Sequence, residues 1–202
     1  MEKKLVLLAS GSMIFIIITM LSLPTTKIIT QTTFAQTNNK NNINNNSTIY
    51  ENPTYGIKLQ HPSNWKTEEG ASPHFSVSFI APQTGSNSDT TTPPALIRFG
   101  VDNLPSKDFS LEDFTNVQIT GARQTYPSFT LYQSHSTTLA GNPAQQLVFS
   151  TIDDKQREAK SMQVFTIKDN KSYHITYIAK PERYSEFLPI AQKMINSFAL
   201  AQ

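Results

Sequence analysis

Apolar and polar positions divide the chain into three zones. Residues 5–23 are almost wholly apolar, whereas residues 37–48, TNNKNNINNNST, are polar and show no periodicity. From Ile49 onward, short runs of alternating apolar and polar residues are separated by turn residues, which is typical of strands. The pattern therefore predicts one domain over residues 49–202, after an export segment and a linker.

Seven segments of this domain carry the strand pattern: residues 56–61, 74–81, 95–102, 129–139, 144–152, 161–168 and 173–179. The last two are separated by Asp169-Asn170-Lys171, a turn short enough for an antiparallel hairpin. Along residues 173–179 apolar side chains stand on both faces of the strand. This pattern predicts a sheet that is covered on both sides.

Two segments have helical spacing and would supply this cover. The first begins at Ser110, which forms an acidic capping box with Asp113. Its apolar positions are Leu111, Phe114, Val117 and Ala122. The second is a longer apolar stripe with helical spacing, made of Tyr184, Phe187, Leu188, Ala191, Met194, Ile195 and Phe198. Pro189 lies inside this stripe, which predicts a kink or a new helix start there.

Residues 1–36 have the features of an export signal. Two lysines precede the apolar run, and Ala35, with Thr33 two positions before it, offers a cleavage site. The run is long for a signal peptide and barely long enough to cross a bilayer, so a cleaved signal and a retained membrane anchor both remain open. In either case the domain is expected outside the cytoplasm, secreted or tethered to the outer face of the cell membrane, with residues 37–48 as a disordered linker.

The amino-acid composition argues against several classes of function. The chain contains no cysteine, which excludes disulfides, thiolate catalysis, Cys-ligated zinc and lipid attachment to an N-terminal cysteine. Of its 17 basic and 15 acidic side chains, four lysines and one glutamate precede the domain, which leaves 13 basic and 14 acidic side chains. Such a balance argues against a nucleic-acid partner, because nucleic-acid binders concentrate basic charge.

No catalytic signature is present. The sequence has no G-x-S-x-G, S-x-x-K, G-x-G-x-x-G or P-loop motif. Ser134-His135-Ser136 lies along a predicted strand, where consecutive side chains point to opposite faces. The adjacent carboxylates Glu68-Glu69 are in a loop-like segment with nothing to separate their pKa values. We therefore expect a protein that is not an enzyme.

Few residues of the sequence are candidates for binding a metal ion, and none has a clear ligand spacing. The four histidines are scattered among the predicted strands without paired-ligand spacing: His61, His74, His135 and His174. The best candidate ligands for a weakly bound divalent ion are His174, Asp153, Asp154 and Asp169. The alternative is that these aspartates are solvated turn caps. No other cofactor is expected.

Aromatic residues offer a candidate ligand platform. Tyr50, Tyr55 and Trp65 lie close together at the start of the domain. The alternative is that Trp65, which follows Pro62, covers the core. A cleft between residues 83–94, QTGSNSDTTTPP, and a sheet edge is a second place for a ligand.

The two ends of the domain resemble the PsbP-like family. Residues 50–65, YENPTYGIKLQHPSNW, are similar to that family's opening pattern y-x-N-x-x-y-G-[fi]-x-[fi]-x-y-P-x-x-W, with His61 in place of the usual aromatic residue. Residues 173–177, YHITY, and the ending of the last helix, 194–198, MINSF, are similar to its closing strand and m-[iv]-x-S-F terminus. The resemblance covers residues 49–199.

The resemblance implies an α+β fold, an α/β/α sandwich with a central antiparallel sheet of about six strands and helices on both faces. It also implies a monomeric accessory domain that docks on a membrane protein complex, as photosynthetic members do on the lumenal side of photosystem II. The segment Phe34-Ala35-Gln36 and the linker are similar to exported archaeal proteins, so we carry over the fold and not the photosynthetic role. The alternative function is a small-ligand or calcium-like metal-ion binding protein at the cell surface.

Overall fold

The computed structural model describes residues 46–72, 75–83 and 94–201. The predicted signal or anchor segment and most of the linker lie outside these ranges. The elements follow the order β1 (Ser47–Asn52), β2 (Ile57–Pro62), β3 (Lys66–Ser72), β4 (Phe75–Ile80), β5 (Ala95–Asn103), α1 (Leu111–Thr125), β6 (Thr130–Leu139), β7 (Asn142–Ile152), β8 (Glu158–Lys168), β9 (Lys171–Ala179), α2 (Pro181–Asn196) and β10 (Ala199–Leu200). Within the described ranges, neither helix is long and apolar enough to span a membrane.

The main sheet is antiparallel, with the strand order β3-β4-β5-β9-β8-β7-β6. It has seven strands, where about six were expected. The additional strand β3 has the sequence KTEEGAS, which carries no apolar alternation. The pattern missed it because an edge strand that exposes its side chains has no need of apolar residues.

A second, three-stranded sheet has the order β1-β2-β10. Gly56 closes the turn between β1 and β2 at a φ of +63°, a left-handed conformation that glycine adopts without strain. Strand β1 begins at Ser47, two residues before Ile49. The short β10 follows α2 and pairs with β2, which brings the end of the domain back to its beginning.

The predicted hairpin after β8 is confirmed, since β8 pairs with β9 up to Lys168 and Lys171. The two loop residues, Asp169 and Asn170, have φ values of +51° and +59°. Positive φ at both positions is the signature of a type I′ turn, whose twist matches that of the flanking strands. Asparagine and aspartate tolerate this conformation better than most residues.

The two helices cover opposite faces of the main sheet, as predicted. We call these the α1 face and the α2 face. The predicted stripe of α2 is buried apart from Leu188, which is half-buried, and the small sheet covers the α2 face beside it. The helix continues through Pro189 to Asn196, so no new helix starts there. Both faces of β9 are buried, which confirms the covered sheet.

Helix α1 begins as predicted, because Ser110 and Asp113 form both hydrogen bonds of a capping box. Its buried positions are Phe114, Thr115 and Gln118. Val117 is exposed, so its assignment to the apolar face was wrong. Positions 114 and 118 are one turn apart and set the buried face, whereas position 117 lies at its margin.

Candidate functional site

The structure does not bring the predicted metal ligands together. Asp153 and Asp154 lie in the turn before β8, and Asp169 lies in the turn after it. These turns are about 30 Å apart, because an eleven-residue strand rises about 3.3 Å per residue. His174 is buried between them on the α1 face of β9, where its Nδ1 lies 3.7 Å from Asp102 Oδ2. Within the described ranges, no three His, Asp or Glu side chains cluster as metal ligands.

Asp153 instead organises its own turn. Its carboxylate accepts hydrogen bonds from the backbone N–H groups of Lys155 and Arg157, both at 2.9 Å, and from Arg157 Nε at 2.7 Å. Partial burial acts to raise the pKa of Asp153, but these hydrogen bonds together outweigh it and lower the pKa. Its oxygen atoms are therefore already engaged by the protein. Asp154 and Asp169 are exposed.

The aromatic platform residues pack into and against the core. Trp65 is 5% exposed and meets Phe187 of α2 edge to face, with ring centroids 6.0 Å apart. Tyr50 and Tyr55 pack, partly buried, at the margin of the same cluster. The Tyr50 hydroxyl donates to the Glu69 carboxylate at 3.1 Å, and burial raises the pKa of Tyr50 to about 12. A ligand at this place stays a prediction.

The remaining predicted ligand position falls mainly outside the described residues. It is the cleft beside residues 83–94, of which residues 84–93 lie outside the described ranges, as does His74. His61 is buried in the small sheet, with Nδ1 2.9 Å from the Pro62 carbonyl. His135 is exposed on β6.

Strand β6 forms one edge of the main sheet and is largely exposed. It is ten residues long and ends the strand order, and among the described strands it pairs with β7 alone. Seven of its ten side chains are exposed, on both faces of the strand. Its outer edge therefore presents backbone N–H and C=O groups along a length of about 30 Å.

Most side chains of β6 can form hydrogen bonds, and its sequence TLYQSHSTTL contains no Asp, Glu, Lys or Arg. Gln145 of β7 binds two of them, donating to Ser134 Oγ at 2.9 Å and accepting from Ser136 Oγ at 3.5 Å. Tyr132 is 54% exposed and lies at a bulge, with its hydroxyl 3.1 Å from Ser150 Oγ. We call β6 with these side chains the β6 edge.

The opposite edge of the sheet is built differently. Strand β3 carries Lys66, Glu68 and Glu69, and its pairing with β4 is interrupted between Glu69 and Ser72. Charged side chains and irregular pairing both hinder the addition of another strand. The β6 edge also has an irregularity, the bulge at Tyr132, but it lacks such charges, so it is the edge that is better suited to pairing with a partner.

Sequence reasoning missed the β6 edge, although a signal for it existed. Residues 129–139 were predicted to be a strand, and the absence of charged residues among them is visible in the sequence. What the pattern does not contain is the position of this strand at the end of the sheet. A central strand and an edge strand with these residues look alike until the pairing partners are known.

Comparison with known proteins identifies the family of this chain and structures with the same fold. The family described as PsbP-like protein matches residues 11–200. No curated protein matches the chain. The structure is similar to cyanobacterial PsbP (CyanoP) from Synechocystis sp., with 16% identity, coverage of 77% of this chain and 92% of that chain, and a TM-score of 0.57.

Two further solved structures have the same fold. LpqN of Mycobacterium tuberculosis, described as involved in cell envelope biogenesis, shows 16% identity over 77% of this chain and 91% of that chain, with a TM-score of 0.59. PA94 of Pseudomonas aeruginosa, a protein of unknown function, shows 18% identity over 73% of this chain and 92% of that chain, with a TM-score of 0.53. At such identities the likeness shows the fold and does not transfer a function.

Proposed function

Since the chain belongs to the PsbP-like protein family, we propose that it is an extracytoplasmic accessory domain that docks on a membrane protein complex and acts by binding rather than by catalysis. The apolar run of residues 5–23 after two lysines supports export. The similarity in fold to LpqN, which is involved in cell envelope biogenesis, agrees with a place at the cell envelope. The absence of a catalytic motif in the sequence supports a binding role.

The observation that carries the proposal is the β6 edge. An extended segment of a partner can add to an open sheet edge through backbone hydrogen bonds, with alternate side chains giving specificity. Strand β6 offers an edge ten residues long for such pairing, and it carries no Asp, Glu, Lys or Arg side chain that would repel a charged partner. We therefore propose that docking adds a strand of the partner beside β6.

The side chains around the β6 edge define the chemistry of the partner. Serine, threonine and glutamine side chains offer hydrogen bonds to polar side chains of an added strand. At one end the exposed Tyr132 ring has Lys160 Nζ 5.4 Å from its centroid, and the same ammonium lies 4.7 Å from the Tyr184 ring centroid. This end suits an apolar or aromatic side chain of the partner, because tyrosine rings supply rigid contact area.

Single-cysteine variants test both the location and the docking edge. Because the natural chain has no cysteine, His135→Cys on β6 and Thr67→Cys on β3 each introduce one thiol at an exposed position. Each variant replaces the natural protein in its own host. Intact cells are treated with a membrane-impermeant maleimide, and separately with a crosslinker that joins a thiol to a nearby amine.

We expect both variants to be labelled in intact cells, since both thiols would face the outside. We expect His135→Cys to crosslink to subunits of a membrane complex, and Thr67→Cys to give little of that product. Labelling that requires cell lysis would overturn the extracytoplasmic location. Efficient labelling of His135→Cys with no membrane-protein product, or the same product from both variants, would overturn docking through β6.

A charge on the edge gives an independent test. Ser134→Lys places an ammonium on the exposed middle of β6, and Thr67→Lys is the matched change on the already charged β3. We expect Ser134→Lys to reduce recovery with the membrane complex after the membrane has been dissolved in mild detergent, because an added strand would have to bury the charge. Thr67→Lys is expected to behave as the natural protein. Equal recovery of both variants would contradict the proposal.

A further inference from the structure

Buried polar side chains are concentrated on the α1 face of the main sheet. Six residues with buried polar side-chain atoms have no hydrogen-bond partner for those atoms within the described ranges: Ser76, Gln118, Ser161, Gln163, Ser172 and Thr176. Folded proteins satisfy most buried polar groups, because an unsatisfied group loses its water without compensation. Such a concentration on one face is therefore a feature that requires a cause.

Three of the polar residues on this face form one row across adjacent strands. Arg98 of β5 is the register partner of Thr176 of β9, and Thr176 is the register partner of Gln163 of β8. Neighbouring strands lie about 4.8 Å apart, so the three side chains leave the sheet side by side. Thr176 and Gln163 are almost fully buried, whereas Arg98 is half-buried. We call them the Arg98 row.

Helix α1 covers this face of the sheet and contributes a further buried amide, that of Gln118. Phe114 meets Phe165 of β8 with ring centroids 5.1 Å apart, and Phe165 is two residues beyond Gln163 on the same face. At the other end of the helix, Tyr126 interacts electrostatically with Arg98. Gln118 lies between these two anchor points and is buried.

The same helix has small residues next to Gln118. Gly121 and Ala122 follow Gln118 by three and four residues, so they share its side of the helix. Neither brings a long side chain toward the sheet. The less buried, open side of the row lies toward β4, since Arg98 and its register partner Ser78 are both half-buried.

The charge and hydrogen-bonding character of the site favour an acceptor-rich ligand. The site contributes a guanidinium, two primary amides and a hydroxyl, which together have many more N–H and O–H donors than acceptors. Burial lowers the pKa of Arg98, partly opposed by Tyr126. An anion beside the guanidinium would therefore stabilise a charge that is largely removed from water. The nearby carboxylate, Asp102, lies four residues along β5, about 13 Å away along the strand, beside His174.

From this arrangement we propose that the Arg98 row and Gln118 form a binding site for a small oxyanion, a carboxylate or a phosphate group, between α1 and the main sheet. Arg98 at the open side would pair with the anion, and the hydroxyl of Thr176 and the amides of Gln163 and Gln118 would donate to its other oxygen atoms. This site is separate from the β6 edge, and its occupancy does not depend on docking.

Titration of the purified protein, followed by amide chemical shifts, tests the proposal. The probes are sodium acetate and sodium phosphate at pH 7, with ionic strength held constant by sodium chloride. We expect saturable shifts, concentrated in β5, β8, β9 and α1, with at least one of the two anions. A stronger response to acetate would identify a carboxylate site, and a stronger response to phosphate would identify a phosphate site. Shifts that stay linear with both anions would overturn the proposal and leave ordered water as the partner of these groups.

Substitutions test whether the anion binds at the Arg98 row. Gln163→Met removes both amide donors at similar volume, and we expect it to weaken anion binding about tenfold or more, since hydrogen bonds to charged groups are the strong ones. The matched control is Gln146→Met, half-buried on β7 on the opposite face, which should bind as the natural protein. Thr176→Val is a second variant of nearly identical shape, should Gln163→Met disturb the fold. Unchanged affinity in a folded Gln163→Met or in Thr176→Val would contradict the assigned site.

Discussion

The two faces of the main sheet are both buried, but their interiors differ. The α2 face is a continuous apolar cluster in which polar groups have partners: Thr166 Oγ1 donates to the Pro143 carbonyl and the Tyr177 hydroxyl donates to the Tyr184 carbonyl, both at 2.7 Å. The α1 face has a smaller apolar cluster with the Arg98 row in its middle. Within the described ranges, the Thr176 hydroxyl and the Gln163 Nε2 group of this row have no hydrogen-bond partner, and burying such groups costs stability. Such local exceptions are expected at functional sites.

Two matched substitutions of phenylalanine by alanine are expected to show the largest difference in stability between the two faces. Phe187→Ala on α2 and Phe114→Ala on α1 both remove a buried ring. We expect the first to lower the free energy of unfolding by about 4 kcal/mol and the second by about 3 kcal/mol. The difference arises because α1 has a smaller apolar contact and can shift to close the cavity. Urea unfolding measures both values, and a larger loss for Phe114→Ala would contradict the comparison.

A matched pair of threonine substitutions tests the polar groups directly. Thr166 on the α2 face and Thr176 on the α1 face are both 0% exposed. Thr166→Val leaves the Pro143 carbonyl without its donor and is expected to lower the free energy of unfolding by about 1–2 kcal/mol. Thr176→Val removes a hydroxyl that has no partner within the described ranges, so in buffer without acetate or phosphate we expect a change near zero or a gain in stability. Equal losses in chemical unfolding would refute this difference.

The two helices also differ in how their N-termini are capped. Ser110 caps α1 through Asp113, whereas no side-chain hydrogen bond caps α2 at Lys180. Ser110→Ala is expected to lower the free energy of unfolding by about 1 kcal/mol. Ser185→Ala, an exposed change inside α2, is the control and should be neutral or slightly stabilising, because alanine favours helix. A neutral Ser110→Ala in thermal unfolding would mean that packing alone holds α1.

The smallest expected effect is a pH dependence of the free energy of unfolding, caused by His61 on the α2 face. Burial lowers the pKa of His61, partly opposed by its contact with the Pro62 carbonyl, and its ring lies 4.7 Å from that of Phe79. Because the unfolded chain takes up the proton more readily, stability falls as pH decreases through about 6.5. His61→Phe should reduce this loss by up to about 1 kcal/mol between pH 7.5 and 5.5.

The control for this measurement is His135→Phe on β6, where the histidine is exposed. It should leave the pH dependence of unfolding close to that of the natural protein. If His61→Phe and the natural protein lose stability in parallel as pH decreases, the protonation of His61 is not the cause.

Much of the fold was predictable because its signals are local. The seven predicted strands correspond to β2 and β4–β9, and the capping box at Ser110 and the stripe of α2 place both helices. Strands β1, β3 and β10 were missed. They lie at edges or are very short, and their pairing with distant residues, such as that of Ala199 with Lys58, leaves no periodic pattern in the sequence.

The two candidate sites, the β6 edge and the Arg98 row, could not be predicted from the sequence, unlike most of the fold. The family, most of the main elements and the lack of cysteine could be predicted without a structure, since these depend on short-range pattern and composition. The position of β6 at the end of the sheet and the alignment of Arg98, Thr176 and Gln163 were decided by tertiary structure alone. Strand order and register bring Arg98 and Thr176 together although they are 78 positions apart in the chain, and no local pattern encodes which strands become neighbours.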